Sequence, residues 1–432
     1  MIQLTNGGPT RQLVASARIA AFASNVGVSR GDEGLIRLGS IAYHQTLRDM
    51  RQLMRPPFLQ MPNYSIALVL VAYSLISYEF STCLHSPESL PVSPMWAVHG
   101  EASNHIARQA GPEAFRSPLG RRVLVGLLPQ TCMARMGMRQ RVNWDGPEWL
   151  SVMEGTVWPS YRDSIWPMVI HIPGFMQRLD IYDVDLAANA QGSISLTETL
   201  LTLSNEVRAL DAKLEMWLAG FKATQGALAD TNLYWCGTSE GPIWNIFSPH
   251  IQFATITIAE VMMLYWAFKL NLSALIHDIE KRMNENPIIQ QQRRLPTPPL
   301  HQDEAPLSPQ HYAYLICRTA HYWLTQSDPS PSTNTIYNCC SFPLRVAWRV
   351  WAKGGREYEE EYNCTAKISK QMRESSYAGK MGEYVITFAY APPPKLFDGE
   401  EDVLKAEREV SKHPREPVTM MQRIVKATYN LW

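Results

Sequence analysis

Hydrophobic residues recur along most of this chain with the period of an α-helix. Spacings of three and four residues alternate most regularly in one set: Leu200, Leu203, Val207, Leu210, Leu214, Trp217 and Phe221. This spacing aligns side chains along one face of a helix. It predicts a helix packed inside its own domain. A short coiled coil is the alternative, because the set covers three heptads without extending further.

The same period predicts helices elsewhere in the chain, at 13–22, 33–54, 119–138, 168–187, 253–270, 311–324, 344–352 and 356–373. The second of these follows a Gly31-Asp32 start signal and ends before Pro56-Pro57. Residues 384–390 alternate and are rich in aromatic and β-branched side chains, which predicts either one strand or the end of a helix.

The 432 residues are therefore expected to form an all-α protein with a single large helical domain. We expect a flexible N-terminus at 1–11 and the helical domain at 12–390. A Pro-rich exposed loop is expected within the domain at 293–310, and a charged C-terminal tail at 391–432.

The most specific pattern lies in the first third of the chain. A predicted helix carries Trp96-Ala97-Val98-His99-Gly100, and a turn, a Phe and a Leu-Gly pair follow it: Gly111-Pro112, Phe115 and Leu119-Gly120. This order resembles the regulatory domain of fungal-specific transcription factors, the region that usually follows a six-cysteine binuclear zinc cluster. Ala110 stands where that family usually has an Arg before the Gly-Pro turn.

Other segments extend the resemblance in the family's order. Residues 42–48 are similar to its Tyr-x-x-Ala-Leu helix, and residues 66–79 to its apolar helix ending in Tyr-Glu. Leu214, Trp217-Leu218 and the helix at 253–270 follow. The resemblance covers roughly 12–390 and is strongest at 40–150. It implies a helical regulatory fold in the nucleus that controls transcription, as such regulators often do for clusters making secondary metabolites.

The resemblance also bears on partners and on His99. It implies contacts with other transcription factors or with a second copy in a dimer, and leaves a small-molecule effector unidentified. His99 is expected to be a buried, hydrogen-bonded partner near Trp96, not a catalytic residue.

Charge and cysteine content favour indirect contact with DNA. Lys plus Arg and Asp plus Glu both number 40, so the chain lacks the basic surplus from which DNA-binding proteins draw affinity. Two local groups, Arg135, Arg139 and Arg141 on a predicted helix and Arg293-Arg294 in a linker, are expected to be ordinary solvated charges. No cysteine precedes Cys83. We therefore expect the regulatory domain of this family without its zinc cluster, unless the sequence begins after that cluster.

Seven widely spaced cysteines suit a reducing compartment: Cys83, Cys132, Cys236, Cys317, Cys339, Cys340 and Cys364. None lies in a Cys-x-x-Cys pair, so no zinc is expected. The polar start predicts no signal peptide, and the apolar run 66–76 is too short to cross a membrane.

Two short motifs in the sequence resemble parts of catalytic sites. Gly237-Thr238-Ser239-Glu240-Gly241 fits the string of a hydrolase nucleophile elbow, but its flanks predict a turn between helices. Asp180, Asp183 and Asp185 could bind a divalent metal, yet no second acidic motif faces them, so a solvated acidic face is expected. The sequence thus predicts no enzyme and no catalytic, cofactor or metal residue. The alternative is an all-α enzyme of a fungal biosynthetic pathway acting on a small apolar substrate.

Overall fold

The computed structural model describes residues 9–54, 61–82, 95–154, 161–188, 194–225, 233–238, 245–286, 307–325 and 333–375. Helices account for 85% of them, and their one sheet has two strands. The predicted all-α class is therefore confirmed. The described residues divide into two compact units, 9–127 and 128–375.

The first unit is built from consecutive helices. These are α1 (Pro9–Arg30), α2 (Glu33–Leu53), α3 (Pro62–Thr82), α4 (Met95–Ala110), a 3₁₀ turn (Pro112–Phe115) and the first half of α5 (Pro118–Met138). Gly31 adopts a positive φ of 64°, and the Asp32 side chain accepts a hydrogen bond of 3.0 Å from the Leu35 amide. The start signal predicted for α2 is therefore a genuine N-cap.

Small residues bring α1 and α2 unusually close together. A Cβ atom placed on Gly39 would lie 3.0 Å from the Ser24 nitrogen and 3.1 Å from the Ala20 carbonyl oxygen. At Gly27 it would lie 2.7 Å from the Ile36 nitrogen. The two helices thus form a hairpin whose backbones almost touch. Helix α3 packs against α1 and α4, and most of its apolar side chains, such as Ala67, Leu68 and Val71, are fully buried.

The second unit contains the rest of α5 and the later elements. These are α6 (Pro147–Met153), α7 (Trp166–Val169), α8 (Ile172–Ala188), α9 (Ile194–Gln225), β1 (Tyr234–Gly237), β2 (His250–Phe253), α10 (Ile256–Glu285), α11 (Pro309–Thr325), α12 (Thr333–Gly354) and α13 (Glu359–Ser375). The strands pair antiparallel, with Gly237 opposite His250.

Helix α9 carries the apolar seam with the three-four spacing. Every seam residue is buried except Trp217, which is half-buried. The helix packs against α8 and α10 of its own unit. The predicted packing inside a domain is therefore confirmed for this helix.

Helix α10 forms the centre of the second unit. It begins after Thr255, whose hydroxyl accepts a hydrogen bond of 3.2 Å from the Ile258 amide. It contacts α8, α9, α11, α12 and β2. Within the described part of the chain it is the one helix long and apolar enough to cross a membrane, but 89% of its apolar window is buried inside the protein. A helix at the centre of a protein core can have the same length and apolar composition as a membrane-spanning helix.

Some predicted boundaries are wrong. Helix α1 begins at Pro9, inside the segment assigned to a flexible terminus, and α11 begins at Pro309, inside the predicted loop. Proline is favoured in the first turn of a helix, where its missing N–H is not needed. Helix α10 extends to Glu285, whereas its expected first residue, Phe253, ends β2. The residues 384–390 lie outside the described part of the chain.

Candidate functional site

Three segments that carry the family resemblance meet in a buried cluster in the first unit. Tyr43 comes from α2, Glu79 from α3 and His99 from α4. The Tyr43 hydroxyl donates a short hydrogen bond to Glu79 Oε1 and lies 3.2 Å from His99 Nε2. His99 Nε2 is also 3.7 Å from Glu79 Oε1. We call these residues the Tyr–Glu–His cluster.

The Tyr43 hydroxyl contacts both acidic and imidazole groups of the cluster. It has one proton to donate, so when Glu79 accepts that proton, a hydrogen bond with His99 uses a proton on His99 Nε2. The ring of Tyr78 stacks on that of Tyr43 with centroids 4.1 Å apart and planes tilted by 17°. Ring stacking and hydrogen bonding together fix the orientation of the phenol.

Burial determines what the cluster can do chemically. His99 has no exposed surface, and Tyr43 and Glu79 are also buried. A substrate in solvent therefore has no contact with the imidazole. The arrangement instead links α2, α3 and α4 through polar contacts. A buried carboxylate that lost its hydrogen-bond donors would destabilise the fold, so these contacts favour the packed arrangement. The expected buried, hydrogen-bonded role of His99 agrees with this geometry.

The Gly-Pro turn and the Leu-Gly pair have a steric explanation. Gly111 has a positive φ of 75°, and Pro112 begins the 3₁₀ turn in which Phe115 is fully buried. A Cβ atom on Gly120 would lie 2.7 Å from Phe115 Cα and 2.9 Å from its carbonyl carbon. Helix α5 can therefore pass this turn only because residue 120 has no side chain. The side chain of Trp96 lies outside the described residues.

Two of the three acidic residues of α8, Asp180 and Asp183, form ion pairs with arginines. Both Asp180 oxygens accept hydrogen bonds of 2.7–3.1 Å from Arg139. Both Asp183 oxygens accept bonds of 2.6 Å from Arg282. These hydrogen bonds raise the pKa of the Arg282 guanidinium. The expected solvated face thus contains two ion pairs, Asp180 with Arg139 just beyond α5 and Asp183 with Arg282 on α10.

The arginines at the end of α5 also have polar partners within the second unit. Helix α5 ends at Met138, and Arg139 adopts a positive φ of 53°, so these arginines do not share one helix as expected. Arg141 pairs with Asp145 at 2.7 Å, and Arg135 donates to Gln140 at 2.8 Å. Residues 293 and 294 lie outside the described part of the chain.

The hydrolase-like string begins at the end of a strand. Gly237 closes β1 and Thr238 follows it, while 239–241 lie outside the described residues. The expected flanking helices are wrong, because β1 precedes the string and β2 follows it. A nucleophile elbow needs a parallel sheet, whereas these strands pair antiparallel.

Sequence reasoning missed a histidine pair beside this hairpin. The rings of His250 on β2 and His321 on α11 lie with centroids 4.1 Å apart. Burial lowers the pKa of both imidazoles, and His321 and Arg318 lower the pKa of His250 further. The two residues are 71 positions apart in sequence, so no local pattern could have revealed the pair.

A buried ion cluster was also missed. Lys269 on α10 has a side chain that is only 5% exposed, and its Nζ lies 2.5 Å from Asp211 and 2.7 Å from Glu215 on α9. Burial alone lowers the pKa of Lys269, but the hydrogen bonds to these carboxylates outweigh it and raise the pKa. The Tyr312 ring lies 5.9 Å from Nζ. The Lys269 ammonium group is thus paired with two carboxylates and lies near an aromatic ring.

The described residues contain no group of three or more His, Cys, Asp or Glu side chains placed to hold a metal ion. Burial raises the pKa of the Cys317 thiol to about 12, and it also raises the pKa of Cys132. Both thiols are therefore protonated and poorly nucleophilic at neutral pH.

Comparison with known proteins gives no match: no family model, no curated protein and no solved structure is significantly similar to this chain.

Proposed function

We propose that this protein is a nuclear regulator of transcription that acts through contacts with other proteins. Its partners would be other transcription factors or a second copy of the chain, and it would reach DNA only indirectly. The pathway class that we propose is a fungal secondary-metabolite gene cluster. The proposal takes its family from the ordered resemblance of the sequence.

The Tyr–Glu–His cluster is the observation that carries this proposal. Three segments that resemble the family each contribute one of its side chains, although they are distant in sequence. That convergence supports the interpretation of the three segments as parts of one motif. The closed geometry of the cluster supports a structural use of these residues and offers no access to a substrate.

The charge balance supports indirect contact with DNA. The chain has no net charge, and the arginines near the end of α5 have acidic or amide partners. Phosphate attraction should therefore be weak. Fluorescence anisotropy with labelled duplex DNA at about 150 mM salt should show weak, sequence-independent binding. A specific complex at nanomolar concentration would overturn this part of the proposal.

Gene deletion tests the regulatory role directly. The transcripts of several neighbouring or pathway genes should change together when the coding sequence carries an early stop codon at its own locus. Complementation with an intact copy elsewhere controls for damage to adjacent promoters. If all transcripts stay unchanged while one metabolite precursor accumulates, the enzyme alternative replaces the regulator. Asp180 and Asp183 would then be the first residues to substitute.

A further inference from the structure

The two-stranded sheet of the second unit has one covered edge and one open edge. Helix α11 packs against β2, and its Arg318 donates a hydrogen bond to the carbonyl oxygen of Pro249, which directly precedes β2. Strand β1 lies on the other side of β2, and its consecutive side chains Trp235 and Cys236 are both exposed. Neighbouring side chains of a strand point to opposite faces of a sheet. Exposure of both therefore indicates that β1 borders solvent.

The register of the sheet shows which backbone groups of β1 point to the open edge. The Ala254 amide donates a hydrogen bond of 3.3 Å to the carbonyl oxygen of Leu233, which lies opposite it. Bonded and non-bonded pairs alternate along an antiparallel ladder, so Trp235 is the next residue bonded to β2. Tyr234 and Cys236 therefore direct their N–H and C=O groups away from β2. Among the described residues, these groups have no hydrogen-bond partner.

Strand β1 is held in place by aromatic packing but is not protected against pairing. The Tyr234 ring lies 6.1 Å from the Phe253 ring and 5.7 Å from the Trp266 ring, measured between centroids. The strand sequence Tyr-Trp-Cys-Gly contains no lysine or proline, the residues that commonly block an exposed edge. Instead Trp235 is 50% exposed. We call Tyr234–Gly237 the β1 edge; its unpaired backbone groups are a template for one more strand.

The same strand of a second copy fits the β1 edge. If two β1 strands pair antiparallel with Tyr234 opposite Cys236, each of these residues exchanges both backbone hydrogen bonds with its counterpart. Trp235 then lies opposite Trp235 of the second copy at the two-fold axis. This is a non-hydrogen-bonded pair, the position at which facing side chains approach most closely and aromatic pairs stabilise a sheet. The strand also carries no charge that would repel its own copy.

We propose that two copies of this protein associate through the β1 edge, so that their two-stranded sheets join into one four-stranded sheet. The open backbone groups of Tyr234 and Cys236 are then hydrogen-bonded, and Trp235 is covered by its counterpart. A short edge buries little area, so the dimer is weak and reversible. The inference gives a surface to the second copy that the proposed function names as a partner, and it rests on that function for the role of the dimer in transcription.

Charge exchange at residue 235 tests the pairing in the full-length protein. Analytical ultracentrifugation over a concentration series that extends to the high micromolar range should detect the dimer. Trp235→Lys and Trp235→Glu should each weaken it at least about thirtyfold, because a buried aromatic contact becomes a like-charge pair. A one-to-one mixture of the two variants should restore a mixed dimer, which a folding defect would not allow. Met216→Lys is the matched control, since Met216 is 75% exposed on α9 of the same unit, and it should leave association unchanged.

A disulfide tests the register of the pairing. In a Cys236→Ser background, Trp235→Cys should cross-link two copies under mild oxidation, since facing residues of a non-hydrogen-bonded pair are close enough for this bond. Thr238→Cys in the same background should not, although Thr238 is also exposed.

Two outcomes would overturn the proposal. One is a monomer at every concentration, which would leave the β1 edge to a strand of a different protein. The other is a dimer that Trp235→Lys does not weaken, because another surface would then hold it. Unchanged transcripts on gene deletion, together with a dimer that depends on Trp235, would count against the proposed function alone.

Discussion

Replacing Tyr43 by Phe tests the Tyr–Glu–His cluster with the smallest possible change. The ring stays and can still stack on Tyr78, while the hydroxyl that bridges Glu79 and His99 is lost. A hydrogen bond to a charged group contributes about 1.5–3 kcal/mol, and the buried carboxylate also loses a donor. We therefore expect the first unit to lose about 2–3 kcal/mol of stability.

Hydrogen–deuterium exchange measures this loss within one unit. Amides of α3 that exchange through unfolding of the unit should exchange about 30–150 times faster in the variant, since each 1.4 kcal/mol is a factor of ten. Tyr73→Phe is the matched control, because Tyr73 lies on α3 and is 39% exposed. It should change stability by less than about 0.5 kcal/mol. Equal exchange in the two variants would refute the structural role of the cluster.

Three other substitutions test packing and charge. Gly120→Ala should destabilise the first unit by about 1–3 kcal/mol through overpacking, as measured by urea unfolding. Gly126→Ala on the same helix is the control. Its new Cβ has no described atom within 4 Å, so this substitution should be neutral or stabilising. Lys269→Met should cost the second unit about 1–3 kcal/mol, since the partly exposed Asp211 and Glu215 lose their cation; an unchanged stability would contradict this. The pKa of His321 is lower in the folded protein than in the unfolded chain, so below about pH 6.5 the unfolded chain binds more protons than the folded protein. Stability should therefore fall as pH drops from 7 to 5. His321→Phe should flatten that slope, but substitution of the exposed His277 by Asn should not.

Helices with a regular apolar period and clear end signals could be predicted from the sequence. Helix α2 is the best example: the Asp32 cap sets its start, and its end differs from the expected residue 54 by one position. The seam of α9 was equally clear, because burial on one side leaves a strict three-four pattern.

Short and fully buried elements could not be predicted in the same way. Helix α10 buries nearly all sides of its first half, so apolar residues occur all round and its boundaries carry little periodic signal. Strands β1 and β2 have four residues each, and among the described residues their sheet has no third strand. Their aromatic and β-branched residues, such as Tyr234 and Ile251, were the one available hint.

The candidate site was predictable in its parts but not in its assembly. The sequence singled out His99, and the segments that contain Tyr43 and Glu79, through the family resemblance. That these three side chains form hydrogen bonds depends on how α2, α3 and α4 pack. The partners of Asp180 and Asp183 were missed for the same reason, since Arg139 and Arg282 are 41 and 99 residues away in sequence.

The central position of α10 has a consequence for synthesis of the protein on the ribosome. The α9 seam is complete when residue 225 has been made, but the helix that covers it ends only at Glu285. At about 5–20 residues per second, these 60 residues take roughly 3–12 s. During that interval the part of the seam that α10 covers faces water, so nascent chains of this length should be substrates for chaperones. A product truncated between α9 and α10 should aggregate, while the helices of the first unit, already synthesised, can pack among themselves.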